Sequence, residues 1–287
     1  MYKLKYSLQF FIIIILFFIY KLLGLRLSAA LSGYIFLLFG PLFRSSSLTE
    51  KNLFKALPNS TGTERAKILK NMWFNYGQIL SEYMYINKFR NSPNFANKII
   101  IENQEILEKI KLNKEPVIFI SGHFNNFELM AMHIEKTGID LAAVYRPLNN
   151  IFLNPLMEQI RKKYICKNQI KKGISGTKEL LRQFKKKTSI ALMIDQRVSE
   201  GIKSNLFNEK ALTTTIPAQF VRRFKSSIVP IYIERLKKNN FKIKIYEPIK
   251  FRENDSIEFI TLYLNQVLEK MILKNPDQWI WTHNRWK

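Results

Sequence analysis

The chain has 287 residues and carries 46 Lys and Arg side chains against 22 Asp and Glu, which gives a formal net charge of +24 at pH 7. A charge of this size indicates an acidic partner, and an anionic bilayer and a nucleic acid are the two obvious classes. The single cysteine, Cys166, excludes an intramolecular disulfide, and no Cys/His cluster has the spacing of a zinc site. The sequence also lacks a Gly-x-Ser-x-Gly motif and a glycine-rich phosphate loop, which excludes the enzyme classes that depend on them.

The N-terminus is strongly apolar. About 18 residues of this region form a helix of about 27 Å, close to the hydrocarbon thickness of a bilayer. We therefore predict a transmembrane anchor over residues 1–25 and an interfacial or packing helix over residues 26–45. A cleaved signal peptide is the alternative, but Lys21 and Arg26 follow the apolar run directly, so an uncleaved anchor is favoured.

Basic residues are more frequent after the anchor than before it. The positive-inside rule therefore places the rest of the chain in the cytoplasm, where its lysines can face anionic headgroups. The residues that carry this bias are Arg26, Arg44, Lys51, Lys55, Arg65, Lys67 and Lys70, against Lys3 and Lys5. The bilayer thus becomes the preferred acidic partner, and no nucleic-acid recognition motif or RNA-binding aromatic strand is present.

Residues 46–287 alternate short apolar strands with amphipathic helices and contain no long linker. We predict strands near residues 99–101, 117–120, 141–145, 189–194, 228–233 and 241–246, and helices near 64–87, 103–112, 126–136, 152–164, 176–186, 218–224 and 257–273, with 44–65 as a polar loop. This alternation predicts one α/β domain, a single mixed-sheet sandwich with flanking helices that follows the anchor.

The segment around His123 carries the clearest chemical signal. An apolar strand ends at Ser121-Gly122, His123 follows at once, and Glu128 comes five positions later at the start of a helix. A histidine at the end of a strand can act as a general base when a carboxylate fixes its tautomer. The alternative is a histidine that only makes a local hydrogen bond at the helix entrance.

Polar residues also follow the next strands of the predicted sheet. Arg146 follows the strand that ends at Tyr145, Asp195 and Gln196 follow another, and Glu234-Arg235 follow a third. Sites in open α/β sheets form at the carboxyl ends of strands. An arginine there suits a phosphate or a developing oxyanion, whereas a surface ion pair for Arg146 and a turn or cap for Asp195 are the alternatives.

This ordered set of motifs resembles the late lipid A acyltransferases, the lauroyl and myristoyl transferases of the wider glycerolipid acyltransferase superfamily. The resemblance spans nearly the whole chain. It comprises the anchor, Met72–Gly77 with Glu82, Ser121–Glu128, Tyr145–Pro147, Met193–Gln196, Thr213–Ala218 and the tail Pro276–Lys287. The chain departs from the family at Arg197, where an acidic residue is usual, and at Leu206–Asn208, where a Phe-Phe-Gly stretch is usual.

The resemblance implies a membrane-bound enzyme of lipopolysaccharide biosynthesis at the cytoplasmic side of the inner membrane. It would transfer an acyl group from acyl carrier protein to a hydroxyl of a lipid A precursor, with no cofactor or metal. His123 would be the base and Glu128 would orient it, in a His-x4-Glu dyad. The substrate-binding residues would be Arg146, Asp195, Asn126 and Gln196. Inner-membrane lipid, the lipid A precursor and the carrier protein would be its partners.

Two other functions remain open at this point. The acceptor of the acyl group can instead be glycerol phosphate, a lysophospholipid or another glycolipid. The chain can also be a basic, membrane-tethered binding protein without catalytic activity. A substitution of His123 distinguishes an enzyme from a binding protein, because only an enzyme would lose acyl transfer.

Overall fold

The structure is a computed structural model that describes residues 2–287. Between these limits the helices are α1 (Tyr2–Phe43), α2 (Ser46–Ala56), α3 (Gly62–Glu82), α4 (Ile86–Asn91), α5 (Pro93–Ala96), α6 (Gln104–Asn113), α7 (Glu128–Lys136), α8 (Leu153–Tyr164), α9 (Ile174–Lys185), α10 (Ile216–Phe224) and α11 (Ile257–Lys274). The strands are β1 (Ile99–Glu102), β2 (Ile118–Ser121), β3 (Leu141–Tyr145), β4 (Asn168–Lys171), β5 (Ser189–Met193), β6 (Ile202–Leu206), β7 (Glu209–Thr213), β8 (Ile228–Arg235) and β9 (Phe241–Ile245).

The central sheet is mixed, and its strand order is β1-β9-β8-β2-β5-β3-β4. The strands from β8 to β4 run parallel to their neighbours, whereas β9 pairs with β8 in the antiparallel sense. All four residues of β2 are buried. This is the expected pattern for a parallel strand that is covered on both faces. The predicted mixed-sheet α/β domain with flanking helices is confirmed.

The structure differs from the prediction in the polar and short segments. Residues 46–56 form α2, which begins at the Ser45 N-cap and buries Leu53, rather than a loop. The sequence does not predict the hairpin β6–β7. It turns at Phe207 and Asn208, which both have positive φ, as a type I′ turn of two residues requires. A polar helix and a short hairpin carry little hydrophobic periodicity, so neither is visible in the pattern.

The N-terminal segment is one long apolar helix. Residues 3–43 are long and apolar enough to cross a membrane, with a mean hydropathy of 2.4 over the most apolar window. The helical geometry breaks at Gly24, where φ is 75° and ψ is 166°. Such a conformation is open to glycine at little cost. The division into a transmembrane anchor over residues 1–25 and an interfacial or packing helix over residues 26–45 stays a prediction.

Both halves of α1 contact the domain. After the break, Ser32 Oγ donates to the carbonyl of Gly77 in α3 at 2.6 Å. A Cβ at Gly77 would lie 2.4 Å from Ser32 O, so only glycine allows this approach. Before the break, Asn150 Nδ2 donates to Tyr6 O at 2.9 Å, and the Tyr85 hydroxyl donates to Tyr20 O. The helix thus lies along the domain and does not project from it as an isolated element.

Candidate active site

The order of the strands brings the predicted polar residues to one edge of the sheet. β8, β2, β5 and β3 are neighbours in that order and run parallel, so their carboxyl ends lie at the same edge. His123 follows β2 and Asp195 follows β5, while Arg235 ends β8. The expectation that these strand ends share one edge is therefore confirmed.

His123 is held by Asp195. The Nδ1 atom of His123 lies 2.8 Å from Asp195 Oδ1, and the backbone N–H of His123 donates to Asp195 Oδ2 at 2.8 Å. Because a carboxylate only accepts, the Nδ1–H group donates and Nε2 keeps its lone pair. The His123 side chain is 20% exposed and that of Asp195 is 3% exposed. The pair thus has a buried carboxylate that orients the ring and, on a partly exposed side chain, a second ring nitrogen that Asp195 does not contact.

Local charge increases the basicity of this histidine. Burial lowers the pKa of His123, but the charge of Asp195 and its hydrogen bond outweigh burial and raise that pKa above its ordinary value. Burial raises the pKa of Asp195. The adjacent imidazole and the donors around the carboxylate outweigh burial and lower that pKa to about 2. Asp195 therefore stays ionised and supports a proton on the ring.

Glu128 contacts Tyr83 and Arg161, and not His123 as the sequence predicts. Its Oε1 atom accepts from the Tyr83 hydroxyl and, at 2.8 Å, from Arg161 Nε. The segment between His123 and α7 is not helical, and Asn125 has a φ of 44°, so five positions do not amount to a regular helical turn here. The carboxylate that contacts the imidazole ring is thus Asp195, whereas Glu128 acts on His123 only through its charge.

A buried polar network lies behind the His123 loop. Arg235 forms an ion pair with Glu82, and its Nε atom donates to Asn125 Oδ1 at 3.0 Å. Asn126 Nδ2 donates to Glu82 Oε2 at 2.9 Å, and Asn126 is fully buried. Asn126, for which the sequence predicts substrate binding, therefore belongs to the network that supports the His123 loop. Glu82 is itself buried and is paired with Arg235.

The remaining predicted substrate-binding residues have different surroundings. Gln196 is half-buried, and its Nε2 atom lies 3.5 Å from His123 Nε2, on the side of the ring that Asp195 leaves free. Arg146 is exposed at the end of β3, and it forms no salt bridge within the described part of the chain, residues 2–287. Cys166 is buried, and burial raises the pKa of its thiol to about 12, which fits an unreactive thiol.

An apolar cavity of about 250 Å³ lies between α1, α3 and the C-terminal tail. The residues that line it are Ile35, Phe36, Phe39, Gly40, Phe43, Arg44, Trp73, Tyr76 and Thr282. Arg44 is exposed. The volume is just below that of typical small-ligand pockets, which begin at roughly 300 Å³.

Three site residues were not predicted from the sequence. Tyr83 and Arg161 hold Glu128, and the indole N–H of Trp279 donates to Asp195 Oδ2 at 2.9 Å. Arg161 lies in a basic run on α8 that has the appearance of a solvated helix face. Trp279 lies in the C-terminal tail, and nothing in the spacing of the tail tryptophans indicates a contact with Asp195.

The comparisons with known proteins match the same kind of protein over most of the chain. A family model described as bacterial lipid A biosynthesis acyltransferase matches residues 1–287. The lipid A biosynthesis lauroyltransferase of Escherichia coli (strain K12) is 24% identical over 253 residues, 85% of this chain and 79% of that protein. The lipid A biosynthesis acyltransferase 2 of Shigella flexneri is 22% identical over 237 residues, 80% of this chain and 74% of that protein. The lipid A biosynthesis palmitoleoyltransferase of Escherichia coli (strain K12) is 21% identical over 249 residues, with coverage of 85% and 79%.

Proposed function

This chain belongs to the bacterial lipid A biosynthesis acyltransferase family, and on that premise we propose that it transfers a fatty acyl group from acyl carrier protein to a hydroxyl of a lipid A precursor. The observation that carries the proposal is the His123–Asp195 pair at the carboxyl edge of the sheet. Its geometry suits proton removal from an alcohol, with Nε2 as the nitrogen that takes the proton once the substrate hydroxyl replaces Gln196 beside it.

The reaction requires a base at the moment of attack. The pKa of an alcohol lies far above 7, so a positioned base contributes about 10²–10⁴ to the rate. His123 Nε2 takes the hydroxyl proton while the oxygen forms a bond to the thioester carbonyl carbon. Asp195 stabilises the imidazolium that results. The tetrahedral oxyanion then collapses, the C–S bond breaks, and the imidazolium returns its proton to the leaving thiolate. The products are an ester and the free thiol of the carrier.

A thioester is already activated, so the reaction as proposed needs neither a metal nor a covalent enzyme intermediate. Gln196 lies near the free face of the His123 ring and offers an amide N–H to the developing oxyanion. Arg146 is exposed at the same sheet edge, where its guanidinium suits a phosphate of the acceptor. As the acyl acceptor we propose a hydroxyl on an acyl chain that the precursor already carries.

The long apolar helix supports association with a membrane, and we propose the inner membrane with the domain on the cytoplasmic side. The excess of basic residues after the helix favours this orientation, and the net charge of +24 favours anionic lipid and an acidic carrier protein. The apolar cavity between α1 and α3 supports binding of part of an acyl chain.

The test is transfer from a defined acyl carrier protein thioester to a purified lipid A precursor, with mass spectrometry of the product. We expect one added acyl chain with the full-length protein and loss of at least 10²-fold in activity in His123→Ala. Circular dichroism and vesicle flotation should show that the variant still folds and binds membranes. Full transfer by His123→Ala would reject the base. Acylation of glycerol phosphate or a lysophospholipid instead of the precursor would change the acceptor.

A further inference from the structure

The C-terminal tail is attached directly to the loop that carries His123. Trp279 forms an isolated antiparallel bridge with Phe124, the residue after His123. The N–H of Asn125 donates to Gln278 O at 3.0 Å, and Asn125 Nδ2 donates to Gln278 Oε1. The tail is held in turn by Asn52 of α2, whose amide donates to the carbonyl of Trp281 at 2.8 Å. These bonds fix the tail and the loop as one unit.

Within this unit Trp279 reaches the carboxylate of Asp195. Its indole N–H donates to Asp195 Oδ2 at 2.9 Å, and the same oxygen accepts from the His123 backbone N–H at 2.8 Å. The other oxygen, Oδ1, lies against His123 Nδ1. Trp279 is 2% exposed, so solvent does not compete for the bond. Hydrogen bonds to an ionised carboxylate are among the stronger ones in proteins.

We propose that Trp279 is a positioning residue of the acyl-transfer reaction. It holds Oδ2 of Asp195, so that Oδ1 of the same carboxylate faces Nδ1 of His123. The proposal rests on the proposed role of His123 as the base. Without the indole N–H, Asp195 keeps a single donor besides the ring, namely the His123 backbone, and its carboxylate can rotate about that contact. The ring then loses both its fixed orientation and part of the negative charge that faces it.

Other ionisable groups surround the pair and contribute to the titration of His123. Glu128 and Arg161 act on His123 through their charges, and Arg285 acts on Asp195. His283 is influenced by both members of the pair and by Lys172. Trp279→Phe replaces none of these groups, so a difference in the titration of His123 that a matched tryptophan substitution does not share reports on the indole bond.

Trp281 provides a matched control. It is also a buried tryptophan, its indole N–H donates to the Pro276 carbonyl at 2.7 Å, and it packs edge to face on Trp279 with ring centroids 4.6 Å apart. Trp279→Phe and Trp281→Phe therefore remove the same chemical group from the same cluster. Only the first removes a donor from Asp195.

The experiment measures kcat, KM and the His123 pKa in the full-length protein in micelles. The pKa comes from NMR titration of labelled histidine, with His123→Ala to assign the signal. We expect Trp279→Phe to lower kcat about 10-fold to 100-fold with KM changed less than about twofold. We also expect the His123 pKa to fall by about half a unit or more, because Asp195 is the group that raises it. Trp281→Phe should leave the His123 pKa unchanged.

Equal effects of the two substitutions, or an unchanged or higher His123 pKa in Trp279→Phe, would overturn the proposal. If Trp279→Phe does not fold, benzothienylalanine at position 279 removes the N–H and keeps the ring, and the same outcomes apply. If the wild-type protein transfers no acyl group, the proposed function fails, while the His123 titration still decides whether Trp279 holds Asp195.

Discussion

Glu82 and Arg235 form an ion pair that the fold closes off from solvent, with side chains 0% and 9% exposed. The two residues are 153 positions apart and join the end of α3 to the end of β8. Arg235 Nε also donates to Asn75 Oδ1 at 2.7 Å, and its backbone N–H donates to Gln278 Oε1 at 2.9 Å. The pair thus connects α3 and the sheet to the tail behind the His123 loop.

Loss of one partner of this ion pair should strongly destabilise the protein. We expect Arg235→Met to lower the free energy of unfolding by about 3–5 kcal/mol, because the Glu82 charge is left buried and unpaired. Chemical denaturation in micelles measures the effect. Arg182→Met is the control, because Arg182 and Glu179 form an exposed pair and should contribute at most about 1 kcal/mol. Similar losses in both variants would contradict a special role of the buried pair.

The two carboxylates near His123 should differ in their effect on the reaction. Asp195 contacts the ring, so Asp195→Asn should reduce kcat by about 10²–10⁴-fold, since an amide no longer holds the tautomer or the imidazolium. Glu128 contacts Tyr83 and Arg161, so Glu128→Gln should reduce kcat less and lower the stability, since Arg161 then loses its charged partner. Kinetics and melting of the two variants test this order. A larger kcat loss in a well-folded Glu128→Gln would assign the orienting role to Glu128.

The acyl-transfer rate should fall on the acid side with a midpoint above pH 6.5. A base must be neutral to accept a proton, and Asp195 raises the pKa of His123 above its ordinary value although burial opposes this. Activity is therefore present at high pH and is lost as the pH falls through the raised pKa. In Asp195→Asn the residual activity should have a lower midpoint, because burial remains and the charge is gone. A profile of kcat/KM against pH measures both; a midpoint that rises in Asp195→Asn would contradict the assignment.

His133 should make the fold sensitive to mild acid. Burial, together with Lys136, lowers the pKa of His133 to about 4, and its Nε2 atom is buried without a hydrogen-bond partner among the described residues. The unfolded chain therefore binds the proton more tightly, and stability present above about pH 6.5 is lost as the pH falls toward 4, at about 1.4 kcal/mol per pH unit. We expect His133→Leu to lose about 2 kcal/mol less than the wild type between pH 6.5 and 5. Denaturation curves at the two pH values check this; parallel losses would exclude His133 as the cause.

The part of the site that the sequence predicted is the part encoded by strand ends. A strand that stops at Ser121 puts His123 at the carboxyl edge of the sheet, and the apolar run before Asp195 does the same. Parallel pairing of β2 with β5 then brings the two residues together. Local patterns determine where each strand ends, so both positions could be read from the chain.

The partner of the histidine could not be predicted with the same local logic. Glu128 is five positions from His123, whereas Asp195 is 72 positions away and reaches the ring only through the register of the sheet. The same limit applies to Trp279, which is 84 positions from Asp195. Spacing along the chain describes neighbours on one element, and these contacts join different elements, so they depend on tertiary packing that no periodicity encodes.

The bonds that hold α1 to the domain have a consequence for catalysis at a surface. Because Asn150 donates to Tyr6 O and Tyr85 to Tyr20 O, the first half of the helix is attached to the domain at two points. The depth to which the helix sinks in lipid then sets the height of the His123 cleft above the headgroups. Loss of the Asn150 and Tyr85 contacts would leave the domain attached through the second half of the helix, where Ser32 donates to Gly77 O, and would free the first half to change its depth without moving the cleft.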